Sequence, residues 1–80
     1  MVRGKNVLIT GGAGFIGSAL VRELLRRDAN VIVYDNFLYG DRSNLMEIED
    51  RIQIINGDIL GWKIYQAIKE HKVEYVFHLA

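Results

Sequence analysis

The stretch Thr10-Gly11-Gly12-Ala13-Gly14-Phe15-Ile16-Gly17-Ser18 follows directly on the aliphatic run Val7-Leu8-Ile9 and opens a segment with helical spacing. No other part of the chain restricts the fold so tightly. Val7-Leu8-Ile9 reads as a short buried strand, ended by glycine. From Phe15 to Arg27 the apolar residues are Phe15, Ile16, Ala19, Leu20, Val21, Leu24 and Leu25, with Arg22, Glu23, Arg26 and Arg27 on the other side. That spacing predicts an amphipathic helix with a wide apolar face. Arg26 and Arg27 fall near its C-terminus, where cations suit the helix dipole. A strand, a glycine turn and a helix in succession leave the N–H groups of the first helical turn facing outward. They attract an anion, most simply a pyrophosphate. Gly12, Gly14 and Gly17 make G-x-G-x-x-G, and Gly11, Gly14 and Gly17 make G-x-x-G-x-x-G. In either pattern glycine permits the tight turn, Gly14 leaves room for a ligand against the backbone, and Gly17 lets the helix lie close to the sheet.

After a short connection, Asp28-Ala29-Asn30, Val31-Ile32-Val33-Tyr34 reads as a second strand with Asp35 at its tip. An acid here, 18 residues beyond Gly17, can accept hydrogen bonds from both hydroxyls of an adenosine ribose. It would repel a 2′-phosphate, which favours NAD over NADP. Arg42, the one basic residue near this loop, keeps NADP as the lesser alternative. Asp35 to Ser43 reads as a loop. Asn44, with Glu47 three residues on, is placed to cap a brief helix carrying Leu45, Met46 and Ile48. Ile52 to Ile55 is a third strand, and Asn56-Gly57-Asp58 is turn chemistry. Trp62 to Lys72 is a second long helix, with Ile64, Tyr65 and Ile68 expected inward and Trp62 in the core or half-covered. Val73 to Phe77 is a fourth strand. The order β-α-β-α-β-α-β implies an α/β fold with parallel strands and right-handed crossovers.

Composition removes several function classes. Ten Lys and Arg balance ten Asp and Glu, so the usual electrostatic case for nucleic acid or an anionic membrane is missing. The chain has no cysteine, hence no disulfide framework, thiolate zinc site or cysteine nucleophile. His71 and His78 have no cysteine to join them in a metal site, and His71 reads as a capping or solvated residue. The longest uncharged run, Asn6 to Val21, is broken by four glycines and is too short to span a bilayer. Met1 to Lys5 lacks a signal-peptide form, so the expected location is cytoplasmic. With 80 residues, a separate fold would bury only roughly 60–65% of its unfolded surface and be marginally stable.

Four stretches together carry a resemblance: TGGAGFIGS at Thr10–Ser18, YDNFLYG at Tyr34–Gly40, NGDI at Asn56–Ile59 and FHLA at Phe77–Ala80. They resemble the start of the extended short-chain dehydrogenase/reductase family, especially its nucleotide-sugar epimerases and dehydratases of the UDP-glucose 4-epimerase type. The resemblance implies half of a Rossmann fold: a four-stranded parallel sheet in the order 3-2-1-4 with helices on both faces. It implies NAD as cofactor. Gly11, Gly14, Phe15, Ile16 and Gly17 would form the pyrophosphate loop, mostly through backbone. Asp35 and Asn36 would hold the adenosine ribose. Asp58 and Ile59 would flank adenine, with Asp58 accepting from its amino group. Leu79 and Ala80 would lie along the cofactor toward its middle, and His78 would support the turn beside it. Gly61 stands where such proteins commonly have Asp, which weakens the expected start of the second long helix.

Tyr65 and Lys69 have the Y-x-x-x-K spacing of the family's proton-transfer pair. They fall before the fourth strand, whereas the family's pair lies beyond the fifth, so they are set aside. The resembling enzymes move a hydride from a sugar carbon to NAD with a tyrosine base and a Ser/Thr partner. None of those residues has a match in residues 1–80. The expectation is therefore the N-terminal half of an NAD-binding domain, over residues 1–80, that binds NAD or adenosine phosphates and is inactive alone. The alternative is a structural fragment or design scaffold with a vestigial nucleotide loop. Val73, Tyr75, Val76 and Phe77 would present an open apolar strand edge, which points to a homodimer. The sugar-nucleotide substrate is not legible here.

Overall fold

The computed structural model describes residues 1–80. Strands β1 (Asn6–Thr10), β2 (Asn30–Asp35), β3 (Gln53–Asn56) and β4 (Tyr75–His78) alternate with helices α1 (Phe15–Arg26) and α2 (Lys63–Glu70). A 3₁₀ segment, Arg42–Arg51, stands between β2 and β3. The sheet order is β3-β2-β1-β4 and every pairing is parallel. No helix is long and apolar enough to cross a membrane.

β1 and β2 are almost wholly buried because both sheet faces are covered, which is why their sequences read as unbroken aliphatic runs. Side chains alternate between the faces. Val7, Ile9, Val31 and Val33 meet Val21, Leu24 and Leu25 of α1, together with Leu45 and Ile48 of the 3₁₀ segment. Leu8, Ile32 and Tyr34 face the other way, onto Ala67 of α2 with Ile64 and Ile68 beside it. The helices thus occupy both faces, and the turns after β1, β2, β3 and β4 gather along one end of the sheet.

Three local expectations are corrected. In α1 the buried stripe is Gly17, Ser18, Val21, Leu24 and Leu25, while Phe15 and Ile16 are 89% and 74% exposed and Ala19 is exposed. Contact of Gly17 with the glycine turn fixes the helix's rotation. Residues three and four apart from it then face inward and Phe15, Ile16 and Ala19 face out. In α2 the inward row is Ile64, Ala67 and Ile68, which leaves Trp62 and Tyr65 exposed. Finally, Asn44 caps nothing. Asp41 is the cap, accepting from the Ser43 amide at 2.9 Å, and that bond holds its carboxyl below the usual range. The Asn44 side chain instead donates to the Ala13 carbonyl at 2.8 Å, a tertiary bond that local spacing could not show.

Both helices end alike. Asp28 and Lys72 take positive φ, and the next residue's amide reaches back to the last turn: Ala29 to Leu24 at 3.1 Å, Val73 to Ile68 at 3.0 Å. These closures turn the chain sharply into β2 and β4.

Candidate functional site

The chain leaves β1 through Gly11, whose φ of +75° suits glycine. A β-carbon at Gly11 would also come within 3.0 Å of the Ala80 nitrogen. The Gly14 amide donates back to the Gly11 carbonyl at 3.1 Å, and the Ser18 amide to the Gly14 carbonyl at 2.9 Å. Between them, the amides of Phe15, Ile16 and Gly17 have no acceptor within the chain, and no side chain caps α1. Three free donors at the positive end of a twelve-residue helix are an anion site in waiting.

Asp35, buried at the end of β2, faces this turn. Its Oδ2 accepts from the Ala13 amide at 2.9 Å and its Oδ1 from the Phe37 amide at 2.8 Å. Each carboxylate oxygen keeps a further lone pair for a ligand hydroxyl. The Ala13 carbonyl is held in turn by the Asp41 amide at 3.1 Å and by Asn44. The loop after β2 is therefore bolted to the glycine turn through one residue.

The glycine turn, the first residue of α1 and Asp35 border an open cleft of about 640 Å³. Of the residues predicted from sequence, Gly11, Gly14, Phe15, Asp35 and Asn36 line it, as do Asp58, Ile59, Leu79 and Ala80. Ile16 and Gly17 do not line it. Gly17 is buried beneath the turn, where a β-carbon would overlap the Gly11 carbonyl oxygen. Asp58 commits Oδ1 to the Leu60 amide at 2.9 Å, which leaves its other oxygen for a ligand.

Sequence reasoning missed Tyr34, Leu38, Tyr39, Gly40, Gly57 and Leu60, which also line the cleft. The signal for Leu38, Tyr39 and Leu60 was their apolar character within otherwise polar turns. Tyr34 acts from inside the sheet: its buried hydroxyl donates to the Asp58 carbonyl at 2.8 Å and fixes the turn after β3. Burial, and secondarily the Asp58 charge, push the phenol's pKa up. Its folded value lies above the unfolded one, so this contribution is complete below about pH 10 and is lost as pH rises through the folded value. Tyr65 and Lys69 do not line the cleft. Arg42 lies instead beside Glu49, with Nε 4.0 Å from its carboxylate.

A profile of the NAD-dependent epimerase/dehydratase family matches residues 7–80. The chain is 44% identical over 77 residues to UDP-N-acetyl-alpha-D-glucosaminuronate decarboxylase of Bacillus cytotoxicus, covering 95% of this chain and 23% of that protein. Among solved structures, an epimerase from Methanothermobacter thermautotrophicus superimposes with a TM-score of 0.88 at 42% identity, over 99% of this chain and 23% of that one. The UDP-glucose 4-epimerase of Brucella ovis in complex with NAD gives 0.85 at 32% identity, over 96% and 23%. The chain thus spans about a quarter of the length of the relatives it matches.

Proposed function

Because this chain belongs to the NAD-dependent epimerase/dehydratase family, we propose that residues 1–80 form the adenosine and pyrophosphate half of an NAD site, the N-terminal half of a Rossmann-type domain. The observation that carries this is the acceptor-less amide of Phe15 at the edge of a cleft that also holds the Asp35 carboxylate, with the acceptor-less amides of Ile16 and Gly17 next to it in the same helical turn. The amides would take the pyrophosphate, with Gly14 leaving the backbone bare for its approach. Asp35 and Asn36 would take the ribose, and Asp58 and Ile59 would border adenine beside Leu38 and Leu60. Bound NAD supplies a nicotinamide that accepts or returns a hydride. A carboxylate at the ribose favours NAD over NADP, and Arg42 sits with Glu49 rather than at the cleft. The whole protein would act on a nucleotide sugar, with the substrate groups supplied outside residues 1–80. A cytoplasmic setting accords with its cysteine-free composition.

Calorimetry with NAD and with ADP tests the site. Gly14 has an ordinary φ of −76°, and a β-carbon there would meet only the Gly11 oxygen, at 3.4 Å. Gly14→Val is therefore expected to keep its far-UV circular dichroism while binding NAD roughly tenfold or more weakly, by filling the space needed by the pyrophosphate. Absence of NAD binding by the parent chain, or equal affinity in the variant, would leave only the structural-fragment reading.

The edge of β4 supports a second proposal, that two copies of the 80-residue chain pair with each other. Within residues 1–80, β4 is one of the two outer strands, with Tyr75, Val76 and Phe77 exposed by 39%, 47% and 36%. An antiparallel two-fold pairing with a second copy, centred on Val76, sets Tyr75 opposite Phe77 and Glu74 opposite His78. That is a self-complementary edge. Light scattering after size exclusion is expected to show a concentration-dependent dimer that Val76→Lys abolishes. A monomer at high concentration would rule the pairing out.

A further inference from the structure

Thr10, the last residue of β1, is wholly buried, and three polar groups converge on its hydroxyl. The Leu79 amide lies 3.1 Å from Oγ1, the Ala80 amide 3.4 Å, and Nδ1 of His78 2.8 Å. Two of these groups can only donate. A hydroxyl has two lone pairs and one proton. With both lone pairs facing amides, the proton has one destination, which is His78 Nδ1. We infer that Thr10 and His78 form a hydrogen-bond hub that sets the Leu79–Ala80 backbone against the glycine turn, with His78 accepting at Nδ1 and carrying its ring proton on Nε2.

The hub has a place to act. The Leu79 amide also meets the Thr10 carbonyl, at 3.1 Å, so the chain is drawn across the end of β1 twice. Ala80 then falls against Gly11, and Leu79 and Ala80 share the cleft with Gly11 and Gly14. His78 itself does not line that cleft. It is a positioning residue: it accepts the hydrogen bond that the Thr10 hydroxyl donates and so leaves both hydroxyl lone pairs to the two amides.

The inference concerns the free chain, and only its ligand readout rests on the proposed dinucleotide site. Nitrogen-15 shifts of the His78 ring are expected to show the Nε2–H tautomer. Thr10→Val is expected to speed amide exchange at Leu79 and Ala80 by about tenfold, while Thr10→Ser is not. His78 is exposed, so His78→Ala keeps the fold should Thr10→Val fail to. It should speed the same two amides, and His78→Asn, whose side-chain oxygen can stand near the Nδ1 position, should restore them. In titrations, His78→Ala is expected to weaken NAD on the order of fivefold and to leave AMP unchanged, since AMP engages the Asp35 end. An Nδ1–H tautomer, unchanged exchange at Leu79, or equal weakening of NAD and AMP would overturn the hub. Expected exchange rates together with no ligand binding by any variant would instead uphold the hub and refute the dinucleotide site.

Discussion

Gly17→Ala is expected to destabilise the chain by about 3 kcal/mol or more, read as a collapse of the urea midpoint followed by circular dichroism. The added β-carbon would overlap the Gly11 carbonyl oxygen and come within 2.9 Å of the Gly11 carbonyl carbon and the Gly12 Cα. All three are backbone atoms of a turn closed by its own Gly14–Gly11 hydrogen bond, so no flexible side chain can yield. The only relief is to lift α1 off the sheet, which would uncover Val21, Leu24 and Leu25. Against a total stability of roughly 4–12 kcal/mol for a chain of this size, that loss is a large share. Gly61→Ala is the control, because a β-carbon there meets nothing within 4 Å. Its midpoint should hold or rise slightly. Equal midpoints for the two variants would show that close approach at Gly17 does not hold α1.

Asp35→Ala should lower NAD affinity by about 100-fold, the largest effect expected of any side chain lining the cleft. Two losses combine. The ribose loses a charged acceptor, worth about 1.5–3 kcal/mol. The amides of Ala13 and Phe37 lose their partner as well, which frees the glycine turn from the loop after β2. Asp35→Asn should fall between, since one amide oxygen can serve only one of those two N–H groups while its NH₂ opposes the other. Calorimetry at a temperature where both variants are shown to be folded separates affinity from stability. Undiminished binding in Asp35→Ala would remove this residue from the site.

The strands and their parallel order were legible because both faces of β1 and β2 are buried, which leaves no polar positions to confuse the pattern. The glycine turn and Asp35 were legible for a related reason. Their placement rests on backbone geometry and one acid at a strand tip, and sequence records both directly. The rotation of each helix was not. Phe15, Ile16 and Tyr65 are apolar, yet rotation is set by where Gly17 touches the glycine turn and Ala67 the sheet, and no count of apolar residues encodes that. Leu38, Tyr39 and Leu60 stayed hidden because their common cleft exists only once the loops after β2 and β3 stand side by side. Asn44 misled for the opposite reason: its local chemistry suits a cap, but a residue 31 positions away claims it.

β1 lies at the centre of the sheet although it comes first in the chain, and this orders events in time. The Asp35–Ala13 bond spans 22 residues and closes within the β1-α1-β2 unit. The bonds from Thr10 to His78, Leu79 and Ala80 span 68 to 70. Loop closure over the longer span costs more entropy and comes later, so the Asp35 side of the cleft is built well before the wall beside Gly11. On a ribosome, a nascent chain would carry a half-finished cleft until residues 78–80 emerged. A ligand that needs both walls would then engage only once this segment is complete, and its binding would seal the longest-range contacts among residues 1–80.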